Sequence, residues 1–542
     1  MKEKNLNKIL KQKNGITLIA LVTTIIVLLI LAGITIGAIT GGNGIIGQAQ
    51  SAKEETEISQ EKEIIDISTV EAMGKNNRGN LEEEEFQTAL SNHTNGKAEV
   101  TDIGEEFEVL FEESNRYYIV DKDGNIGEMN EYIEDNSPGD ITKDENGKEL
   151  AGTADEPYQI WCIEDLVAFS NTTKGEGIVL KNGNPEKANI EDFSEKYVVL
   201  KRTLNFNSKL SYQNSERTDF GDINGNDEDG NTLINEMLTG TGFNPIGVFR
   251  GTFDGENHEI INLYENRTSG NLGLFGEVRN STIKNLTVQG KIEVSDENNT
   301  GVNGGIVALS RDISTFINCS NKVEINSQGV RYATGGIVGR SWGNAIITNC
   351  SNFGRLSSTS EATGGIIGRA ENDVNIKNCF NVGEIGSTGS MAGGIAGDII
   401  RGGKIINVYN SGEISENGPY GRGGIAGRIG LGGNQTIINI SNAYNIGNVI
   451  ENNIVWNYGA GGIVGYIMGE DVTLNLSKSY YLSGTCSVAL GNDDDSKYGV
   501  TKLETLSNEE LKNNLNSYVE ENENQTELKK WKLSEEGYPI FE

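Results

Sequence analysis

The sequence predicts a mainly β protein. The expected architecture is a right-handed parallel β-solenoid of about seven coils, each of roughly 30 residues, preceded by an N-terminal transmembrane helix and a small α+β head. Three observations predict it. A glycine phrase recurs as GGIVA at Gly304, GGIVG at Gly335, GGIIG at Gly364, GGIAG at Gly393 and Gly423, and GGIVG at Gly461, with spacings of 31, 29, 29, 30 and 38 residues. An asparagine phrase runs in phase with it: NCSNKVEI at Asn318, NCSNFGRL at Asn349, NCFNVGEI at Asn378, NVYNSGEI at Asn407 and NAYNIGNV at Asn442. Finally, Ile16–Ile39 is an unbroken run of 24 apolar or small residues behind a leader that carries five lysines.

In chain order, residues 1–15 form the basic leader and residues 16–39 the transmembrane helix. At about 1.5 Å per residue this run spans about 36 Å, enough for a bilayer core of about 30 Å. Lysines hold their flank in the cytoplasm, so the rest of the chain faces outward. A cleaved secretory signal fits poorly, because its apolar region is short and ends in a small-residue cut site. Residues 40–133 read as a polar helix followed by a small antiparallel sheet. In EEFEVLFEES, Phe107, Val109 and Phe111 recur at every second position among acids, the pattern of a half-buried strand. Residues 134–150, acidic and rich in turn formers, read as a linker. Residues 151–270 are expected to hold the solenoid's N-terminal cap and first coils. IEDLVAFS should be a short helix whose Leu166, Val167 and Phe169 cover the open apolar end. Residues 271–490 form the repeat proper: short apolar patches between Gly and Asn corners, too short for helices. Stacked coils place isoleucines inside and align asparagine amides in ladders. Residues 491–542 read as a helix from about Asn508 and a final GYPIF strand, a C-terminal cap.

Two parts of the chain resemble known families. KQKNG followed by ITLIALVTTIIVLLILAGI is similar to a type IV prepilin or pseudopilin N-terminus, of the type II secretion kind and in a clostridial variant. The resemblance implies a prepilin peptidase cut between Gly15 and Ile16, methylation of Ile16, and a pilin-like module in residues 40–133. Pilins usually carry a glutamate at the fifth position after the cut; here it is Ala20. That departure favours a minor or tip subunit, or a surface anchor, over a major filament subunit. The glycine and asparagine phrases, with FNPIGVFRGTFDGENHEIINLYE ahead of them, resemble the GLUG repeats of bacterial surface proteins. That resemblance implies architecture and is silent on chemistry.

Composition narrows the function. The formal net charge is −33, which argues against nucleic acid and anionic surfaces as partners. The five cysteines, an odd number, do not define a disulfide framework. Cys319, Cys350 and Cys379 share one register and read as small interior residues. His258 opens HEIIN, half of a zinc-peptidase motif without its second histidine. Asp222–Asn231 is dense in oxygen donors but lacks the EF-hand glycine, so it reads as a polar loop with calcium as the sharper alternative. No metal site, cofactor or catalytic residue is expected.

Two charged registers are candidate binding rows. Arg340, Arg369 and Arg428 follow the glycine phrases, with Asp398 between the last two. Such a basic stripe could meet an acidic glycan, though its ordinary role is a solvated corner. Glu324, Glu384 and Glu413 occupy another register with Arg355 among them. They are the best acids for a polysaccharide lyase or hydrolase if the solenoid is an enzyme, and otherwise are solvent-facing strand residues.

These features imply a single-pass protein of the bacterial cell membrane with most of its chain outside. It would act as a minor or tip pilin-like subunit displaying an adhesive solenoid. Its implied partners are the prepilin peptidase, other pilins through the N-terminal helix, and a host or bacterial surface glycan or protein. A membrane-tethered carbohydrate-active enzyme and a structural spacer are the alternatives.

Overall fold

A computed structural model describes residues 45–542 except 76–80, 132–134, 177, 182–183, 214–232, 269, 295–300, 329–331, 416–419, 432–434, 452–458, 493–500, 504–506 and 524–526. Gly15, Ile16, Ala20, the whole apolar run 16–39 and the loop Asp222–Asn231 therefore lie outside the described residues. Among the described residues no helix is long and apolar enough to cross a membrane. The chain divides into two units, Met1–Tyr132 and Ile133–Glu542.

In the first unit, helix α1 (Ile45–Lys75) and helix α2 (Glu83–Thr94) accompany a four-stranded antiparallel sheet in the order β1 (Ala98–Asp102), β2 (Glu106–Phe111), β3 (Arg116–Asp121), β4 (Ile126–Glu131). Phe107, Val109 and Phe111 of β2 are buried with Ile65, Ala72, Phe86 and Tyr118, but the burial does not alternate, since Glu108 is buried too and Leu110 is half-buried. Glu61 is also buried on α1. It accepts hydrogen bonds from Arg116 Nε at 2.9 Å and from the Tyr118 hydroxyl at 2.6 Å. Burial raises its pKa, but the bonds from Arg116, Ser114 and Tyr118 outweigh this and leave it lowered. Helix α2 was not anticipated. Its first turn holds three glutamates, which suit a helix N-terminus, but its apolar face is only Phe86, Ala89 and Leu90.

The second unit is a parallel β-solenoid. Its three faces coincide over six coils, one fewer than the seven expected, because the frayed repeats at each end contribute to only some faces. The six-stranded face carries the first glycine of each phrase, from Val302–Gly304 to Ala460–Gly461. The eight-stranded face carries the residues that follow. The 17-stranded sheet wraps the remainder and bends at Asn285, Asn318, Asn349, Asn378, Asn407 and Asn442, whose φ lies between 52° and 58°. Asparagine tolerates this left-handed conformation better than most residues, which explains its recurrence.

The two phrases are halves of one device. Ile306, Ile337, Ile366, Ile395, Ile425 and Ile463 form a column with no exposed surface. Beside it runs a buried amide ladder, Asn321–Asn352–Asn381–Asn410–Asn445, with each Nδ2 donating to the next Oδ1 at 2.6–2.7 Å. Each Nδ2 also donates to the carbonyl two residues further on, as Asn381 does to Gly383 at 2.8 Å. A Cβ on Gly336 would lie 2.5 Å from Asn352 Oδ1, so the second glycine of the phrase makes room for the ladder. In the last coil Tyr481 replaces the asparagine and ends it. Cys319, Cys350 and Cys379 stack in the interior, and burial raises the thiol pKa of Cys350 and Cys379.

Helix α3 (Ile163–Lys174) closes the N-terminal end with Leu166, Val167 and Phe169 inward. The Phe169 ring lies 4.9–6.5 Å from those of Phe193, Phe249, Phe253 and Phe275. Residues 135–150, expected as a linker, belong to this cap. Ile141 is in the solenoid core, its carbonyl accepts from Gln159 N at 3.0 Å, and Gly139 N donates to Asp165 Oδ1 at 2.7 Å. Two apolar residues, Ile141 and Leu150, far apart among acids, leave no periodicity to read.

The C-terminal segment caps the end only in part, through Thr501–Leu503, which pairs with Val472–Leu482 of the last coil. After helix α4 (Leu233–Thr239) in the first coils, helix α5 (Asn508–Glu521) and the hairpin Trp531–Leu533/Pro539–Phe541 run along the solenoid's flank. Asn378, Asn407 and Asn442, from three successive coils, donate to the carbonyls of Glu527, Lys529 and Leu515. Stacked Phe380, Tyr409 and Tyr444, with ring centroids 4.8 and 5.3 Å apart, meet Trp531 and Phe541. The register position that these rings occupy is Ser320 and Ser351 in earlier coils, where the strap is absent.

Candidate functional site

The arginine row is not a solvated corner. Register places Arg340, Arg369, Asp398 and Arg428 side by side in four consecutive coils. Asp398 is fully buried and receives Arg369 Nε at 3.0 Å and Arg428 Nη2 at 2.6 Å. Arg369 also reaches Glu361 at 2.9 Å, and Arg340 reaches Glu371 at 2.6 Å. Each of the three guanidinium groups is thus engaged by a carboxylate, which removes the free positive field that an acidic glycan would require.

The glutamate register is assembled as the spacing implied: Glu324, Arg355, Glu384 and Glu413 occupy one row. Glu384 accepts from Arg355 Nε at 3.0 Å and from the Ser415 hydroxyl at 2.6 Å. Those two bonds hold its carboxyl below the usual range. A general acid requires the opposite shift. Glu324 and Glu413 are exposed.

One cluster of metal-ligating types exists among the described residues: Asp135, Cys162 and Asp165, buried, with candidate ligand atoms within 4.8 Å of one another. Its oxygens already serve the helix cap. Asp165 accepts from Trp161 N at 2.8 Å and Cys162 N at 3.3 Å, and Asp135 accepts from Ser137 N at 2.8 Å. Burial raises the pKa of both carboxyls, and the cluster reads as part of the helix cap.

The feature with open chemistry lies elsewhere. A trough of about 440 Å³ crosses the outer face of the 17-stranded sheet, lined by Ile313, Asn344, Ile346, Asp373, Asn375, Lys404, Ile437 and Asn439 over a floor of Ala345, Val374 and Gly403. Two outward rows make its walls. One runs Ile346–Asn375–Lys404–Asn439 and the other Asn344–Asp373–Gly402–Ile437. Gly402 and Gly403 supply no side chain, so the wall and the floor drop at this coil. Asp373, Asn375 and Lys404 are exposed and make no side-chain hydrogen bond or ion pair to a described residue.

Sequence reasoning missed this row, although it left a signal. The position three residues before the corner asparagine is Ile346, Asn375, Lys404 and Asn439, different in character in almost every coil. The next position is always isoleucine: Ile347, Ile376, Ile405 and Ile440. Constant residues build the scaffold, and variable ones face outward.

A profile of the GLUG motif matches residues 331–357, which amounts to one coil including the GGIVG and NCSN phrases. No curated protein and no solved structure matches the chain.

Proposed function

We propose that this chain is a membrane-anchored, outward-facing bacterial surface protein, a minor or tip pilin-like subunit that displays a binding solenoid. The display half rests on the sequence: a lysine leader, Gly15, and the apolar run from Ile16. The binding half rests on one observation, the trough, where Asp373, Asn375 and Lys404 have no side-chain partner among the described residues while Arg340, Arg369, Arg428 and Glu384 are held by neighbours. Binding without turnover is the reading favoured by that contrast, since the acid placed best for catalysis is held ionised by an arginine.

Mass spectrometry of the membrane fraction tests the display half. The mature chain begins at methylated Ile16, processed by a prepilin peptidase; an intact Met1, or a start beyond Ala38, overturns the pilin-like reading. Protease accessibility on intact cells should release the solenoid. Product release from polysaccharides that is abolished by Glu384→Gln would replace the adhesin with an enzyme.

A further inference from the structure

We propose that the trough binds a neutral oligosaccharide lying along the solenoid axis, across the strands. The proposal rests on the binding reading above and names its ligand class. From Ile313 to Ile437 the trough crosses five coils, or four steps of about 4.8 Å, close to 19 Å in all. A linear chain of small rigid units fits that shape, because each coil presents a fresh pair of side chains to the next unit.

The side chains select the chemistry. Asn344 and Asn375 offer amides that both donate and accept, Asn439, whose Oδ1 already accepts from Asn475 at 2.9 Å, offers its Nδ2 donor, Asp373 accepts, and Lys404 donates. A sugar's hydroxyls are donor and acceptor at once, so this mixture matches them. Ile313, Ile346 and Ile437 supply apolar surface for the C–H faces of the rings, the usual composition of a small-ligand site. The charges exclude a polyanion: Asp373 and Lys404 sum to zero locally, in a chain of formal net charge −33. The backbone excludes an added peptide strand. Strands Ala345–Thr348, Val374–Asn381 and Gly402–Asn410 each pair with neighbouring coils, so the trough offers no sheet edge.

The test uses the full-length protein in detergent and three immobilised panels: neutral β- and α-linked oligosaccharides of increasing length, polyanionic glycans, and extended peptides. The expected result is saturable binding to a neutral series. Affinity should rise with chain length, level off once the trough is filled, and change little with added salt. Asp373→Ala and Lys404→Ala should each weaken binding at least tenfold, while Lys532→Ala, on the C-terminal hairpin and outside the trough lining, should not. Binding to polyanions or peptides instead, lost in the trough variants, would overturn the ligand class and leave the binding reading standing. No binding to any panel, together with cell attachment indifferent to both trough variants, would overturn both.

Discussion

Two rows of this solenoid are built by the same rule and end in opposite states. Arg340, Arg369, Asp398 and Arg428 stack at one position of consecutive coils, as do Ile346, Asn375, Lys404 and Asn439. In the first row opposite charges fall in adjacent coils, approach to 2.6–3.0 Å and are buried together. In the second, Lys404 has amides on either side and stays exposed. A charge repeated in a stack is therefore not by itself a binding surface. It becomes one where the coils above and below fail to neutralise it.

The largest test of that contrast is Asp398→Asn. It leaves Arg369 and Arg428 without the carboxylate they share, and breaking a buried pair costs roughly 3–5 kcal/mol. Urea unfolding of the full-length protein should show a loss of that order, and a loss within error of zero would place the row among ordinary surface pairs.

Next in size is a pH effect at the N-terminal cap. Glu265 is fully buried, has one oxygen without a partner among the described residues, and burial pushes its pKa up to about 8. Its folded form holds the proton more tightly than its unfolded form does. Its contribution is therefore complete below the ordinary carboxylate range and is lost as pH rises toward 8. Glu265→Gln, which mimics the protonated acid, should match wild type at pH 5 and exceed it by on the order of 2–3 kcal/mol near pH 8. Lys174, lowered to about 7 chiefly by burial, has the opposite sign: its contribution is recovered as pH rises from 7 toward the ordinary lysine range. Melting curves of wild type and Glu265→Gln across that range separate the two groups.

Smaller again is Asn381→Ala in the buried ladder. It removes the acceptor of Asn352 and a donor to Asn410 and Gly383, which should cost roughly 1–2 kcal/mol. Asn318→Gly, in the exposed corner ladder, should cost less, because glycine keeps the left-handed corner at φ 53° and water replaces the lost amide. Equal losses would mean that burial does not set the value of a rung.

The repeat was legible because stacking forces constancy: each glycine phrase marks a place where a Cβ would strike the next coil or the amide ladder. The helix α3 cap was legible because Leu166, Val167 and Phe169 are apolar together. Helix α2 and the trough were not, and neither were three further features of the second unit. The segment at Ile141 packs through only two apolar residues, Ile141 and Leu150, which show no period. The C-terminal strap was written in the change from NCSN to NCFN, NVYN and NAYN, a serine-to-aromatic switch that looks like ordinary variation until Trp531 is seen against the rings. The arginine row was legible as a register but not as a pairing, since Glu361 and Glu371 reach it from outside that register.

The central claim is that the arginine row serves stability and the trough serves binding. Thermal unfolding of Asp398→Asn and Asp373→Asn, measured side by side on full-length protein in one detergent buffer, tests it most directly. The account predicts that Asp398→Asn melts well below wild type while Asp373→Asn, an exposed change, stays within about 0.5 kcal/mol of it. An Asp373→Asn variant as unstable as Asp398→Asn would contradict the account, because the trough would then be part of the scaffold.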